Sequence, residues 1–166
     1  MIPQLPAGSG AFILMHDVRS VHNVGSIFRT ADGFGVEKIY ISGHTPSPID
    51  RFGRKRPDMA KVALGAEDSV AWEMVEDPLV LVKKLKKSGV RIVALEQDER
   101  SVDLKEIPSI SMARQPTLLI LGREVEGIGK EFLDISDVIA EIPMVGKKES
   151  FNVSVSAGVA MYQLFG

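Results

Sequence analysis

Short continuous apolar runs alternate with stretches of helical periodicity along the chain. Ala11-Phe12-Ile13-Leu14-Met15 and Lys38-Ile39-Tyr40-Ile41 predict two buried strands. Between them Val24, Phe28 and Ala31 recur at helical spacing with Ile27 alongside, and Gly33 and Gly35 offer the stop. Ser69 to Val75 predicts a third strand from a less regular pattern. Pro78 opens a helix through Lys87, with Leu79, Val82 and Leu85 on one face, and Gly89 closes it. Further strands are predicted over Val90–Leu95, Thr117–Leu121 and Asp137–Ile142, and a last helix over Asn152–Phe165.

Continuous apolar strands separated by helices must be covered on both faces, which predicts an α/β fold: a mostly parallel sheet with helices on both sides. No internal repeat, low-complexity tract or long linker divides the chain, so residues 1–166 are expected to form one domain. Two long irregular stretches, Gly43–Asp58 and Ser101–Pro116, are candidates for function because loops of that length are uncommon in compact folds. Ligands of such sheets bind beyond the carboxyl ends of the strands. That rule points to Glu96–Glu99, Gly122–Gly129 and Pro143–Asn152 as the walls of a pocket.

Composition narrows the function classes. Hydrophobic residues at 45% and charged residues at 25% exclude a disordered or collagen-like chain. No apolar run approaches the roughly 20 residues that cross a bilayer. Met1-Ile2-Pro3-Gln4-Leu5-Pro6 has no basic region ahead of an apolar stretch, so no secretory signal is visible. The absence of cysteine excludes disulfides, thiolate zinc sites and thiol nucleophiles. A cytoplasmic enzyme or binding domain is the expectation. Net charge is −2, yet Arg51, Arg54, Lys55 and Arg56 face only Asp50 and Asp58 within Gly43–Asp58, a local +2. A basic loop on an acidic body permits contact with nucleic-acid phosphate without requiring it.

Several segments are candidates for chemistry. Gly122-Arg123-Glu124-Val125-Glu126-Gly127-Ile128-Gly129-Lys130 follows a strand, but Ile128 stands where a phosphate-gripping loop needs lysine. The dinucleotide fingerprint is also missing, and two carboxylates would repel a pyrophosphate. A strand-to-helix turn that needs glycine for positive φ explains the segment as well. In Ser150-Phe151-Asn152-Val153-Ser154-Val155-Ser156, either Ser150 or Asn152 is positioned to cap the last helix. The small residues Ser154, Ser156, Ala157, Gly158 and Ala160 suit a buried seam or a subunit interface equally. His16, His22 and His44 lack the spacing and carboxylate partners of a zinc helix, so no metal is expected. Arg29 interrupts an apolar helical face. It is either a surface charge or an anion-holding group, and about 600° of helical rotation leaves it projecting about 120° away from Asn23.

Three segments in order resemble the motifs of one family. Asn23-Val24-Gly25-Ser26-Ile27-Phe28-Arg29-Thr30-Ala31 resembles the first motif of the SpoU (TrmH-like) branch of SPOUT RNA methyltransferases. Leu121-Gly122-Arg123-Glu124-Val125-Glu126-Gly127 resembles the second, and Ile142-Pro143-Met144 through Ser150-Phe151-Asn152-Val153-Ser154 the third. The likeness runs from about Phe12 to Leu164. It implies a carboxyl-terminal trefoil knot holding S-adenosylmethionine, and a homodimer with active sites between subunits. Carried over by position, it makes Arg29 the catalytic arginine, with Asn23, Glu124, Ser150 and Asn152 shaping the site. Backbone at Leu95, Gly122, Ile142 and Phe151 would cradle the cofactor. The family usually has leucine where this chain has Phe151, a change that is mild if the contact is made through backbone.

The implied reaction is methyl transfer to a ribose 2′-hydroxyl of tRNA or rRNA, tRNA being preferred for so small an enzyme. A free arginine has a pKa of about 12.5 or higher, so Arg29 acts either with a depressed pKa or by stabilising a developing alkoxide. The rivals are an RNA base methyltransferase and a catalytically silent RNA-binding domain of the same fold. Arg29 argues against the first, and retention of Arg29, Glu124, Ser150 and Asn152 together against the second. No appended RNA-binding domain is visible, so the Arg51–Arg56 loop is the expected RNA contact, with no membrane partner.

Overall fold

The computed structural model describes residues 9–166, so the Met1–Pro6 start lies outside the described residues. Seven strands are interspersed with helices along the chain, β4 and β5 alone having none between them: β1 (Ala11–His16), β2 (Lys38–Ser42), β3 (Ala71–Val75), β4 (Arg91–Leu95), β5 (Val102–Asp103), β6 (Thr117–Leu121) and β7 (Val138–Glu141). They form one sheet in the order β3-β2-β1-β6-β4-β7-β5, and every neighbouring pair is parallel. The late strands β6 and β7 therefore fill places between earlier ones, which brings the carboxyl-terminal third of the chain to the middle of the sheet.

The period-2 pleat divides the core in two. Ile13, Met15, Ile39, Ile41, Leu119 and Leu121 point to one face and pack under α1 (Val21–Gly33), α2 (Pro57–Ala63) and α7 (Val153–Phe165). Phe12, Leu14, Ile92, Leu118 and Ile120 point to the other, under α4 (Pro78–Lys87) and α6 (Lys130–Ile135). Both faces are closed to water, and this is why these strands read as unbroken apolar runs. Phe28 of α1 and Phe132 of α6 are fully buried anchors, one for each layer.

Each α1 end has a local cause. Ser20 caps it by accepting the Asn23 N–H at 3.2 Å, and Gly35 takes φ +64° just beyond its last turn. In α4, Asp77 accepts the Val80 N–H at 3.0 Å, one residue before Pro78. Asn152 is the cap of α7, accepting from the Ser154 N–H at 2.8 Å, while Ser150 has no such role. Three of the small residues of α7 face the chain's own core or α1. Ala157 and Ala160 are buried, and a Cβ at Gly158 would sit 3.8 Å from Thr30 Cγ2 of α1.

The structure departs from the pattern where elements are short. The strand expected from Ser69 starts at Ala71, because Ser69 ends a one-turn helix, α3 (Ala66–Ser69). The Gly43–Asp58 stretch ends inside α2, which starts at Pro57. The Ser101–Pro116 stretch contains β5, a 3-10 turn at Leu104–Glu106 and α5 (Ile110–Ala113). A two-residue strand and helices of three to seven residues present too few turns or alternations for the pattern to register. Among the described residues no helix is long and apolar enough to cross a membrane.

Candidate active site

A cleft of about 240 Å³ opens across the carboxyl ends of β4, β6 and β7. Leu95, Glu96 and Gln97 leave β4, Gly122 to Val125 and Gly127 leave β6, and Ile142, Met144 and Glu149 to Phe151 follow β7. The three segments singled out by strand topology thus each contribute to one place, although residues 98–99, 126, 128–129, 143, 145–148 and 152 do not line the cleft.

The second of these loops folds back on itself. Arg123 and Gly127 exchange backbone hydrogen bonds of 3.3 and 3.2 Å, with Gly127 at φ +69°. The turn closes over Gly122, where a Cβ would lie 2.6 Å from Ile128 Cγ1 and 2.8 Å from the Gly127 carbonyl. Glycine is needed there for close approach of backbone to backbone. The Glu96 carboxylate then joins the loops. It accepts the Ile128 N–H at 2.8 Å and the Gln97 N–H at 2.9 Å, and the Gln97 amide donates to the Glu149 carbonyl at 2.8 Å. In the sequence Glu96 and Gln97 stand out only as part of the Glu96–Glu99 segment. Their signal is two polar residues at the end of a buried apolar strand.

Glu124 ties the cleft to α1. Its carboxylate accepts the Ser20 N–H at 3.2 Å and the Asn23 side-chain amide at 3.4 Å. Burial alone would raise its pKa, but its own N–H, the Ser20 and Arg19 N–H groups and the Asn23 amide outweigh that and hold it below the ordinary value. The position also suits a negative charge, because the amino end of a helix carries partial positive charge. Glu124 is thus an ionised acceptor at neutral pH. Arg123, beside it, lines the cleft but spends its guanidinium on Asp17 at 2.7 Å and Glu126 at 2.9 Å.

The residues singled out in the sequence fall into three groups. Leu95, Gly122, Ile142, Phe151, Glu124 and Ser150 line the cleft. Asn23 is buried and reaches it through Glu124, whereas the exposed Asn152 is occupied as the cap of α7. Arg29 is exposed on α1, outside the cleft of its own chain, and roughly 9 Å along the helix axis from Asn23. In the basic loop Arg54 pairs with Asp50 at 3.0 Å and Lys55 with Asp68 at 2.7 Å. The Arg56 Nε is buried without a partner among the described residues, and Arg51 is exposed.

The cleft lining mixes apolar surface with more carboxylates than cations. Leu95, Ile142, Met144 and Phe151 supply apolar surface, Glu96, Glu124, Glu141 and Glu149 supply negative charge, and the bare backbone of Gly122 leaves room for close approach. Among the described residues no group of three or more His, Asp or Glu side chains is placed to hold a metal.

A parallel sheet with a glycine-folded cleft on its carboxyl edge defines an α/β protein built to bind a small molecule at the strand ends. The model of the SpoU rRNA Methylase family matches residues 10–162, and the chain belongs to that family. It is 30% identical over 151 residues to the tRNA (guanosine(18)-2'-O)-methyltransferase of Aquifex aeolicus, covering 91% of this chain and 66% of that protein. It is 32% identical to the 23S rRNA (guanosine-2'-O-)-methyltransferase RlmB of Nitrosomonas europaea, covering 92% of this chain and 55% of that protein. The chain therefore spans just over half to about two thirds of the length of these relatives. The crystal structure of the A. aeolicus TrmH/SpoU tRNA modifying enzyme superposes with a TM-score of 0.79 at 28% identity, over 93% of this chain and 73% of that one. An AdoMet-bound rRNA methyltransferase from Sinorhizobium meliloti shares the fold, with a TM-score of 0.81 at 24% identity over 95% of this chain and 56% of that one.

Proposed function

We propose that this protein is an S-adenosylmethionine-dependent RNA methyltransferase acting in the cytoplasm on a ribose 2′-hydroxyl, with tRNA the preferred substrate over rRNA. The observation that carries the reading is the convergence of the second and third motifs on one acidic, glycine-folded cleft, with the first motif docked to it through Glu124. Family membership and relatives named as tRNA and rRNA guanosine 2'-O-methyltransferases support it.

Backbone at Leu95, Gly122, Ile142 and Phe151 would hold the cofactor, with the surrounding carboxylates favouring its cationic centre. When bound, S-adenosylmethionine supplies a methyl group on a positively charged sulfur, open to attack by the ribose O2′. Glu124 keeps its charge and orients Asn23 and the start of α1. Ser150, exposed at the rim, is free to position the ribose. The exposed Arg29 guanidinium stabilises the developing alkoxide while substrate phosphate or water takes the proton.

Since Arg29 lies outside the cleft of its own chain, the reading includes a homodimer in which Arg29 of one subunit serves the cleft of the other. The exposed Val155, Val159 and Tyr162 of α7, which packs beside α1, support such an interface. The reading also includes the trefoil knot. It is supported by the insertion of β6 and β7 between earlier strands and by the passage of the 142–152 segment from β7 across to α7 on the α1 side of the sheet.

The test is methyl transfer from labelled S-adenosylmethionine to unmodified bulk tRNA and, separately, rRNA, with nucleosides identified after digestion. A labelled 2′-O-methylnucleoside is expected. Label on a base would replace this reading with base methylation, and cofactor binding without label in any RNA pool would remove it.

A further inference from the structure

The loop between β2 and α2 carries an aromatic ring that the core does not use. Phe52 is 67% exposed. A lone exposed apolar side chain is ordinary, but the setting of this one is not. Its turn is held rigid from within. The Asp50 carboxylate accepts the Phe52 N–H at 2.8 Å and the Arg54 N–H at 3.0 Å, and the Asp50 N–H donates to the Arg54 carbonyl at 2.8 Å. Gly53 turns the tip at φ +78°, and Ile49 bridges Lys55 across its base. Phe52 is therefore presented on a preorganised tip.

Two guanidiniums flank the ring, Arg51 with its Cζ 4.8 Å from the centroid and Arg54 at 5.1 Å. The loop's charge is much reduced by internal pairing, because Arg54 is bound to Asp50 and Lys55 to Asp68. Among the described residues Arg51 forms no ion pair. What projects into solvent at the tip is thus an exposed ring bordered by two guanidiniums, with Arg54 and Lys55 exposed but ion-paired. The loop also belongs to the same edge of the sheet as the cleft. His44 at its base donates its N–H to Asp17 Oδ1 at 2.8 Å, and the other oxygen of that carboxylate takes Arg123 of the cleft at 2.7 Å.

We infer that Phe52, together with Arg51, is a stacking platform for an unpaired base of the RNA substrate, on the same edge of the sheet as the cleft. Bases in single-stranded segments stack on aromatic rings and on guanidinium planes, whereas bases inside a duplex offer no free face. Such stacking tolerates any base, so Phe52 contributes affinity and register and leaves base choice to other contacts. Arg51 adds the phosphate attraction that the paired Arg54 and Lys55 do not. The inference rests on the RNA methyltransferase reading.

The test uses the full chain, with Trp72, its single tryptophan, changed to phenylalanine and Phe52→Trp introduced as a reporter. Three probes are titrated: an oligouridylate, an abasic oligomer of equal length and charge, and an RNA duplex. The oligouridylate is expected to quench the new tryptophan, and the abasic oligomer and the duplex are not. Phe52→Leu is expected to weaken oligouridylate binding about tenfold, leaving abasic-oligomer binding and calorimetric S-adenosylmethionine affinity unchanged. Equal quenching by all three probes, or no loss in Phe52→Leu, overturns the platform. A change of oligomeric state in Phe52→Leu also overturns it, in favour of a protein contact. Wild-type methyl transfer measured in parallel separates the two readings: methylation with an indifferent Phe52 removes the platform alone, whereas base-dependent quenching without methylation removes the enzyme reading alone.

Discussion

Asp17 and Arg123 lie 106 residues apart in sequence and form a two-pronged ion pair, with Asp17 Oδ2 accepting from Nε at 3.0 Å and from Nη2 at 2.7 Å. Asp17 is only 3% exposed and sits at φ +57°, just past the end of β1. Its other oxygen accepts the His44 N–H at 2.8 Å. One carboxylate therefore clamps the loops that follow β1, β2 and β6. Gly43 completes the clamp, because any Cβ there would strike the Asp17 carboxylate.

The clamp predicts a pH signature. Burial works to raise the Asp17 pKa, but the His44 N–H, the Arg123 guanidinium and nearby His16 prevail and hold it well below the usual carboxylate range. A depressed folded-state pKa contributes stability that is fully present above the unfolded value of about 3.9 and erodes as pH falls below it. Asn tolerates the left-handed backbone, so Asp17→Asn isolates the charge. It is expected to cost about 2 kcal/mol at pH 7. In urea denaturation the gap from wild type should narrow steadily between pH 4 and pH 2, set by the unfolded-state value. A constant gap across that range would show that the Asp17 charge does not carry the effect.

Arg29→Ala is expected to lower kcat by roughly 10²–10³-fold, with S-adenosylmethionine affinity by calorimetry unchanged, since the proposed role of Arg29 is toward the ribose oxygen and it is not among the residues of its own chain that line the cleft. Stability should stay within about 0.5 kcal/mol, as for other exposed positions. Full turnover in this variant would leave the alkoxide-stabilising role without support.

Gly122→Ala places a methyl group against Ile128 and the Gly127 carbonyl, where backbone cannot move aside. Thermal and urea unfolding are expected to register a loss of about 2 kcal/mol, together with weakened cofactor binding. Gly146, in the third loop, has nothing within 4 Å of a built Cβ, so Gly146→Ala is the matched control and should be neutral.

Asn152 has two separable roles. As the cap of α7 it accepts from the Ser154 N–H at 2.8 Å and the Ser154 hydroxyl at 2.6 Å. Asn152→Ala is expected to cost about 1 kcal/mol, and Asn152→Ser, which keeps an acceptor, only a few tenths. If Asn152 also orients the ribose, serine restores stability but not kcat. Recovery of both in the serine variant would reduce the residue to a cap.

The α/β fold, the parallel sheet and the family were legible in the sequence for a physical reason. A strand buried on both faces must be continuously apolar, and Ala11–Met15, Ile92–Leu95 and Leu118–Leu121 are. Once strands alternate with helices, their carboxyl ends name the pocket, and the loops after β4, β6 and β7 do meet there. A cap at Ser150 or Asn152 and a positive-φ glycine in the 122–129 turn were equally readable, because each is a local demand on the backbone; the structure uses Asn152 and Gly127.

What only the tertiary structure decided is which side chains from distant segments meet. Nothing in their neighbours announces that Asp17 takes Arg123, that Glu96 receives the Ile128 amide, or that Lys55 is held by Asp68. The basic loop is the clearest case. Counted along the chain it is a patch of free charge, yet folding supplies partners for Arg54 and Lys55 and leaves Phe52 and Arg51 at the tip. Local backbone preference and burial are written residue by residue, so the sequence determined the layers, the caps and the edge that carries the site. The Asp17–Arg123 pair depends on strand order, because the pairing of β6 with β1 brings together charges that lie 106 residues apart.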